Sequence, residues 1–114
     1  MKILIVEDHQ MIIDFFIDIF KTVFKNEKCV FTTALNCEEA VIAIDKRLSN
    51  NSFDFALIDV SMPSFNERKI YNGIDVCNKM PSCKTLINTG IIEHLTLFEM
   101  TQNLNIEGIA IKSA

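Results

Sequence analysis

At 114 residues, 49% of them hydrophobic, the chain has the length and apolar content of one domain whose core needs no covalent staple. Its net charge of −4 argues against a nucleic-acid-binding surface, and no stretch approaches the ~18 apolar residues of a membrane span. The four cysteines (29, 37, 77 and 83) form no CxxC pair and keep no zinc spacing with a histidine, and MKILIVED lacks the pattern of a signal peptide. Reduced, partly buried thiols in a cytoplasmic protein are therefore expected.

Lys2–Val6 is a short apolar run rich in β-branched residues, the pattern of a buried strand, and it stops at Glu7-Asp8. From Met11 to Phe24, apolar residues recur at three- and four-residue steps, which predicts an amphipathic helix of about four turns. Asp8 is a candidate N-cap for that helix. Lys28–Thr33 reads as a second strand. Asn36 followed by Glu39 resembles a capping box and opens a helix through Val41, Ile44 and Leu48.

After the turn chemistry of Ser49 to Ser52, Phe53–Asp59 is an apolar run of the kind found in a strand buried on both faces of a parallel sheet. Ser64–Asn72 is a polar loop, and Gly73 opens a short helical pattern that ends near Pro81. Thr85–Asn88 is the fourth strand, ending at Thr89-Gly90. A fourth helical pattern runs from about Ile92 to Gln102, and Gly108–Ile111 is the fifth strand, ending at Lys112. Strands alternating with helices imply right-handed crossovers and an α/β fold, a parallel sheet with helices on both faces.

The C-terminal ends of parallel strands share one edge, where such folds place their chemistry. Glu7, Asp8, Asp59, Thr89 and Lys112 all fall there. Each has an ordinary explanation alone: Asp8 caps a helix, Asp59 and Thr89 begin turns, Lys112 is solvated. Their joint placement is a poorer fit to chance. Three clustered carboxylates repel unless a cation sits among them, and hard oxygen donors suit Mg²⁺. A metal, an ammonium and a hydroxyl around one carboxylate are what attaching a phosphoryl group to it requires, with Asp59 as nucleophile.

The chain resembles the receiver domains of bacterial two-component response regulators. The resemblance rests on Glu7-Asp8, on Asp59 in DVSMP, on Thr89 after an apolar strand and on Lys112. It implies a flavodoxin-like, doubly wound five-stranded sheet of order 2-1-3-4-5, spanning residues 1–114. It further implies a phosphorelay role in which Asp59 accepts a phosphoryl group from a sensor histidine kinase. Asp8, Asp59 and the backbone carbonyl of Ser61 would hold Mg²⁺, with Glu7 acting through ordered water, while Thr89 and Lys112 would contact the phosphoryl oxygens. Such a domain is a regulatory switch that catalyses its own phosphoryl transfer. EDHQM and KSA also resemble the subgroup whose receiver precedes a LuxR-type helix-turn-helix domain, so that transcription would be regulated, and DNA contacted, only by residues beyond Ala114.

Several positions depart from the family pattern. Ile109 stands where an aromatic residue is common, Ser113 where proline is frequent, and the loop between Pro63 and Gly73 is longer than usual, with Glu67, Arg68 and Lys69 in it. A fifth helix is absent, which is expected to expose apolar surface around Ile109 and Ile111 and to favour a truncated chain that dimerises. His94 is expected as a solvent-facing helix residue, and so is His9, with contact to the pocket of the adjoining acidic pair as its alternative reading. The competing reading is a receiver-like interaction module that is not phosphorylated, motivated by Ile109 and the altered loop. An aspartate-nucleophile phosphatase would want a second Asp where Ser61 stands, and a flavin-binding module would want a phosphate-cradling loop where EDHQM stands.

Overall fold

The computed structural model describes residues 1–47, 53–59, 72–80, 83–89 and 106–111. Five strands, β1 (Lys2–Val6), β2 (Val30–Ala34), β3 (Phe55–Ile58), β4 (Lys84–Thr89) and β5 (Ile106–Ile111), form one sheet in the order β2-β1-β3-β4-β5. All four neighbouring pairs run parallel. The three described helices are α1 (Gln10–Val23), α2 (Cys37–Arg47) and α3 (Gly73–Asn78). The helical pattern near Ile92–Gln102 and the greater part of the loop before Gly73 lie outside the described residues.

Side-chain alternation along the strands divides the core between the two faces of the sheet. Ile3 and Ile5 of β1 join Leu57 of β3 against Ile13 and Phe20 of α1. Leu4 and Val6 point the other way, packing with Ala56 and Ile58 of β3 against Val41 and Ile44 of α2 and Val76 of α3. Ile3 to Val6 are all 0% exposed, which is why KILIV reads as a continuous apolar run instead of an alternating one. Full burial of each such side chain is worth about 1.5–3 kcal/mol.

The registers fix what meets at the C-terminal edge. Val6 lies opposite Ala34 and Ile58, Ile58 opposite Ile87, and Thr89 opposite Ile111. On β5 the register shifts once: Thr85 faces Ile106 but Leu86 faces Gly108. The extra residue, Glu107, interrupts the apolar run, so the strand begins two residues before the Gly108 expected from sequence.

Helix starts differ in how they are capped. Asn36 caps α2, its Oδ1 accepting from the Glu39 N–H at 2.8 Å, while the Glu39 carboxylate accepts from the Leu35 N–H and the Asn36 Nδ2. Asn72 caps α3, accepting from the Ile74 and Asp75 N–H groups at 2.9 and 3.2 Å. At α1 the N-cap is His9, with no side-chain capping bond. Asp8 is therefore not the cap of α1, because the helix begins one residue later than its carboxylate would require. No described helix is long and apolar enough to cross a membrane.

Candidate functional site

Glu7 and Asp59 are the first residues past the ends of two adjacent strands. The Glu7 N–H donates to the Ala34 carbonyl and the Asp59 N–H to the Val6 carbonyl, both at 2.9 Å, so each backbone is locked into the sheet beyond the last ladder residue. With Val6 opposite Ile58, and neighbouring strands ~4.8 Å apart, the two acidic residues leave the sheet side by side. Both are buried, at 1% and 3% exposure. Carboxylates are seldom buried without partners, because removal from water disfavours the charged form. Glu7 and Asp59 accordingly both take part in interactions.

Asp8, freed from helix capping, points part of its carboxylate to solvent: its side chain is 40% exposed. His9 ties the acidic pair together. Its Nδ1 lies 2.8 Å from Asp8 Oδ1 and 3.3 Å from Glu7 Oε1, and its backbone N–H donates to the same Glu7 oxygen at 3.3 Å. Burial pushes the Asp8 carboxyl up, but hydrogen bonding to Glu7 and His9 and the charge of His9 outweigh it and hold the group below its ordinary value. Hydrogen bonds to Glu7 and then Asp8, reinforced by the Asp8 charge, raise the His9 imidazole above its ordinary value. The sequence favoured a solvent-facing His9 over one that meets the acidic pocket. It is exposed, yet its imidazole also bridges both carboxylates.

One donor atom from each of Glu7, Asp8 and His9 falls within 4.8 Å of the others, a spacing that can hold a metal ion. The oxygen-rich part of this set, with Asp59 on the next strand, has the chemistry that a small hard cation requires. Thr89 ends β4, two residues beyond the Ile87 that faces Ile58, so its backbone lies at the same edge of the sheet as Asp59. Ser61 and Lys112 fall outside the described residues.

Two neighbouring features escaped the sequence reading. A β-carbon on Gly73 would overlap the carbonyl of Asp59, so α3 approaches the Asp59 backbone as closely as a glycine permits. Asn72 then secures the start of α3 by capping. The legible signal was Asn-Gly closing a polar loop, a strong N-cap type followed by the least bulky residue. A cavity of about 830 Å³ opens at the opposite edge of the sheet, beside Met1, Phe24, Lys28, Asp54 and Lys84, away from Glu7, Asp8 and Asp59.

No family model matches the chain, and no curated protein matches it. Solved structures do. The N-terminal domain of a response regulator/sensory box/GGDEF three-domain protein from Carboxydothermus hydrogenoformans is 20% identical with a TM-score of 0.70, over 100% of this chain and 83% of that one. A CheY-like response regulator receiver domain protein from Methanospirillum hungatei is 21% identical with a TM-score of 0.66, over 99% and 82%. A chain from the CheX–CheY–BeF₃–Mg²⁺ complex of Borrelia burgdorferi is 18% identical with a TM-score of 0.73, over 99% and 78%. The sheet order, the helices on both faces and these neighbours together show that the chain has the flavodoxin-like, CheY-type fold of response-regulator receiver domains.

Proposed function

We propose that the chain, over its full 114 residues, is a receiver domain that accepts a phosphoryl group on Asp59 from the phosphohistidine of a sensor histidine kinase. The observation that carries this reading is the register at the sheet edge: buried Glu7 and Asp59 on adjacent strand ends, with part-exposed Asp8 following Glu7 in the chain. An Asp59 carboxylate oxygen attacks the phosphorus as the P–N bond to the kinase imidazole breaks, and the leaving imidazole takes up a proton. Asp8, Asp59 and the Ser61 carbonyl hold Mg²⁺, with Glu7 behind them. When bound, Mg²⁺ supplies the positive charge that lets a phosphoryl group approach this cluster. The Thr89 hydroxyl and the Lys112 ammonium hold the phosphoryl oxygens.

The acyl phosphate adds about one negative charge and new acceptor oxygens next to β4. Drawing Thr89 and Lys112 inward biases the β4–β5 face between two states, and that face passes the signal on. Ile109, which pairs with Ile87 in the middle of that ladder, stands where an aromatic residue is common, so the Thr89 shift is retained without the aromatic readout and the output face responds differently. Where an output domain of LuxR type follows Ala114, the output is transcription in the cytoplasm. The deciding experiment is intact mass after acetyl phosphate or phosphoramidate with Mg²⁺, beside Asp59→Asn. A gain of one phosphoryl group that needs Mg²⁺ and vanishes in the variant is expected. A folded protein that gains none and binds no Mg²⁺ is instead an unphosphorylated interaction module.

A further inference from the structure

Helix α1 carries more apolar surface than its place against the sheet uses. Ile13 and Phe20 are buried in the core, with Ile17 and Phe24 packed beside them. A second set, Met11, Phe15, Ile19 and Val23, recurs at four-residue steps and is 86, 60, 38 and 65% exposed. Four-residue spacing lines side chains into one ridge along a helix. This ridge is about 18 Å long at 1.5 Å per residue. Its centre is stiffened, since the Phe15 ring rests edge-on against Phe16 with centroids 5.5 Å apart.

We propose that this ridge is a homodimer interface, occupied by α1 of a second copy of the chain in antiparallel orientation. The pattern is its own complement. About a two-fold axis at the level of Ile17, Met11 meets Val23 and Phe15 meets Ile19 of the second copy, and the reverse. One pair of charges bordering the ridge follows the same symmetry: Asp14 lies in the first half of the helix and Lys21 in the second, and both are exposed. Antiparallel pairing sets Asp14 across from Lys21 of the second copy twice over, whereas parallel pairing would set acid against acid. Antiparallel helix dipoles add to the same preference. Neither Asp18 nor Lys21 is held in an ion pair among the described residues, and Asp14 accepts only from Gln10 Nε2 at 2.9 Å. The contact is isologous, the arrangement that closes on itself without forming fibres. Its small size makes the dimer weak and dependent on concentration.

The test is sedimentation velocity on the 114-residue chain over a concentration series, with far-UV circular dichroism to verify folding of every variant. The wild type is expected to associate reversibly. Phe15→Asp, at an exposed position outside the core, is expected to abolish association. Lys21→Glu places like charges across the axis and is expected to weaken association about tenfold. Combining it with Asp14→Lys restores opposite charges and should return association to near the wild-type level. A wild-type chain still monomeric at ~1 mM leaves the ridge to another occupant, a further segment of chain or a lipid surface, and overturns the proposal. So does a dimer indifferent to Phe15→Asp, or a charge-swapped double variant as weak as Lys21→Glu alone.

Discussion

Gly73 and Asp59 are in backbone contact so close that no other residue fits at position 73. A β-carbon there would lie 2.9 Å from the Asp59 carbonyl carbon and 2.8 Å from Cγ2 of Ile58, and would overlap the carbonyl oxygen. None of these atoms ends a flexible chain that could swing aside. The start of α3 and the residue that carries the proposed chemistry therefore constrain each other.

Gly73→Ala should consequently cost about 1–3 kcal/mol, the usual range for overpacking a filled site. The strain falls on Asp59 itself, so divalent-cation binding should weaken as well. Urea unfolding and cation titration of the same variant check both. Unchanged stability would mean that α3 slides away from β3 without penalty.

The sheet was legible because parallel strands covered on both faces leave continuous apolar runs, as KILIV and FALI do. Helix α2 was legible through Asn36 and Glu39, whose chemistry is local. Strand limits were less so: β2 runs one residue past Thr33 to Ala34, and β5 begins before the charged Glu107. The carboxylates of the site could be found because strand ends converge in this topology. Gly73 could not, since it acts through the space its missing side chain leaves empty, and His9 was legible only as an alternative, since its bridge exists only within the folded turn. Asp8 illustrates the same limit, for its residue type suits a cap while the helix starts one residue too late to use it.

Asn72→Ala should lose about 1 kcal/mol, the ordinary cost of removing an Asn cap. The cap matters more than at a long helix because α3 has six residues and two of its first N–H groups bond to this one oxygen. Asn72→Asp retains an acceptor and should lose much less. Equal losses for Ala and Asp in denaturant unfolding would show that the amide serves some other contact.

The buried thiols predict an alkaline limit to stability. Burial, with the Cys83 charge adding to it, pushes Cys77 up to about 12, and burial together with Asp54 pushes Cys83 up to about 11. An unfolded thiol ionises near 9, so the unfolded state loses protons first. Stability contributed by the protonated thiols is complete below pH 9 and is lost as pH rises from there toward 12. Unfolding midpoints should fall over that range, less steeply in Cys77→Ala. Iodoacetamide at pH 8 should label half-buried Cys29 well before Cys37, Cys77 and Cys83. Equal labelling rates in the native state would contradict this burial.

His9 makes the site readable by titration. Its imidazolium is favoured by hydrogen bonds to Glu7 and Asp8, so in metal-free protein it should titrate above its ordinary 6.5. A raised histidine stabilises the fold below 6.5, and that contribution is lost as pH rises through the folded value. Asp8 works from the other side: its lowered carboxyl contributes above 3.8 and is lost as pH falls through its folded value. The bridge is therefore complete between the folded values of Asp8 and His9, a window that includes everything from 3.8 to 6.5. A divalent cation held as proposed, by Asp8 and Asp59 with Glu7 behind them, would compete with the His9 proton for Asp8. Saturating Mg²⁺ should lower the His9 titration toward 6.5, and by reciprocity the affinity for Mg²⁺ should fall as His9 becomes protonated. NMR of the imidazole Cε1–H with and without Mg²⁺ measures the first effect. Mg²⁺ affinity against pH in wild type and His9→Gln measures the second, and the variant should lose the histidine-linked part of the dependence. A His9 titration that Mg²⁺ leaves unmoved would place the cation away from Glu7 and Asp8.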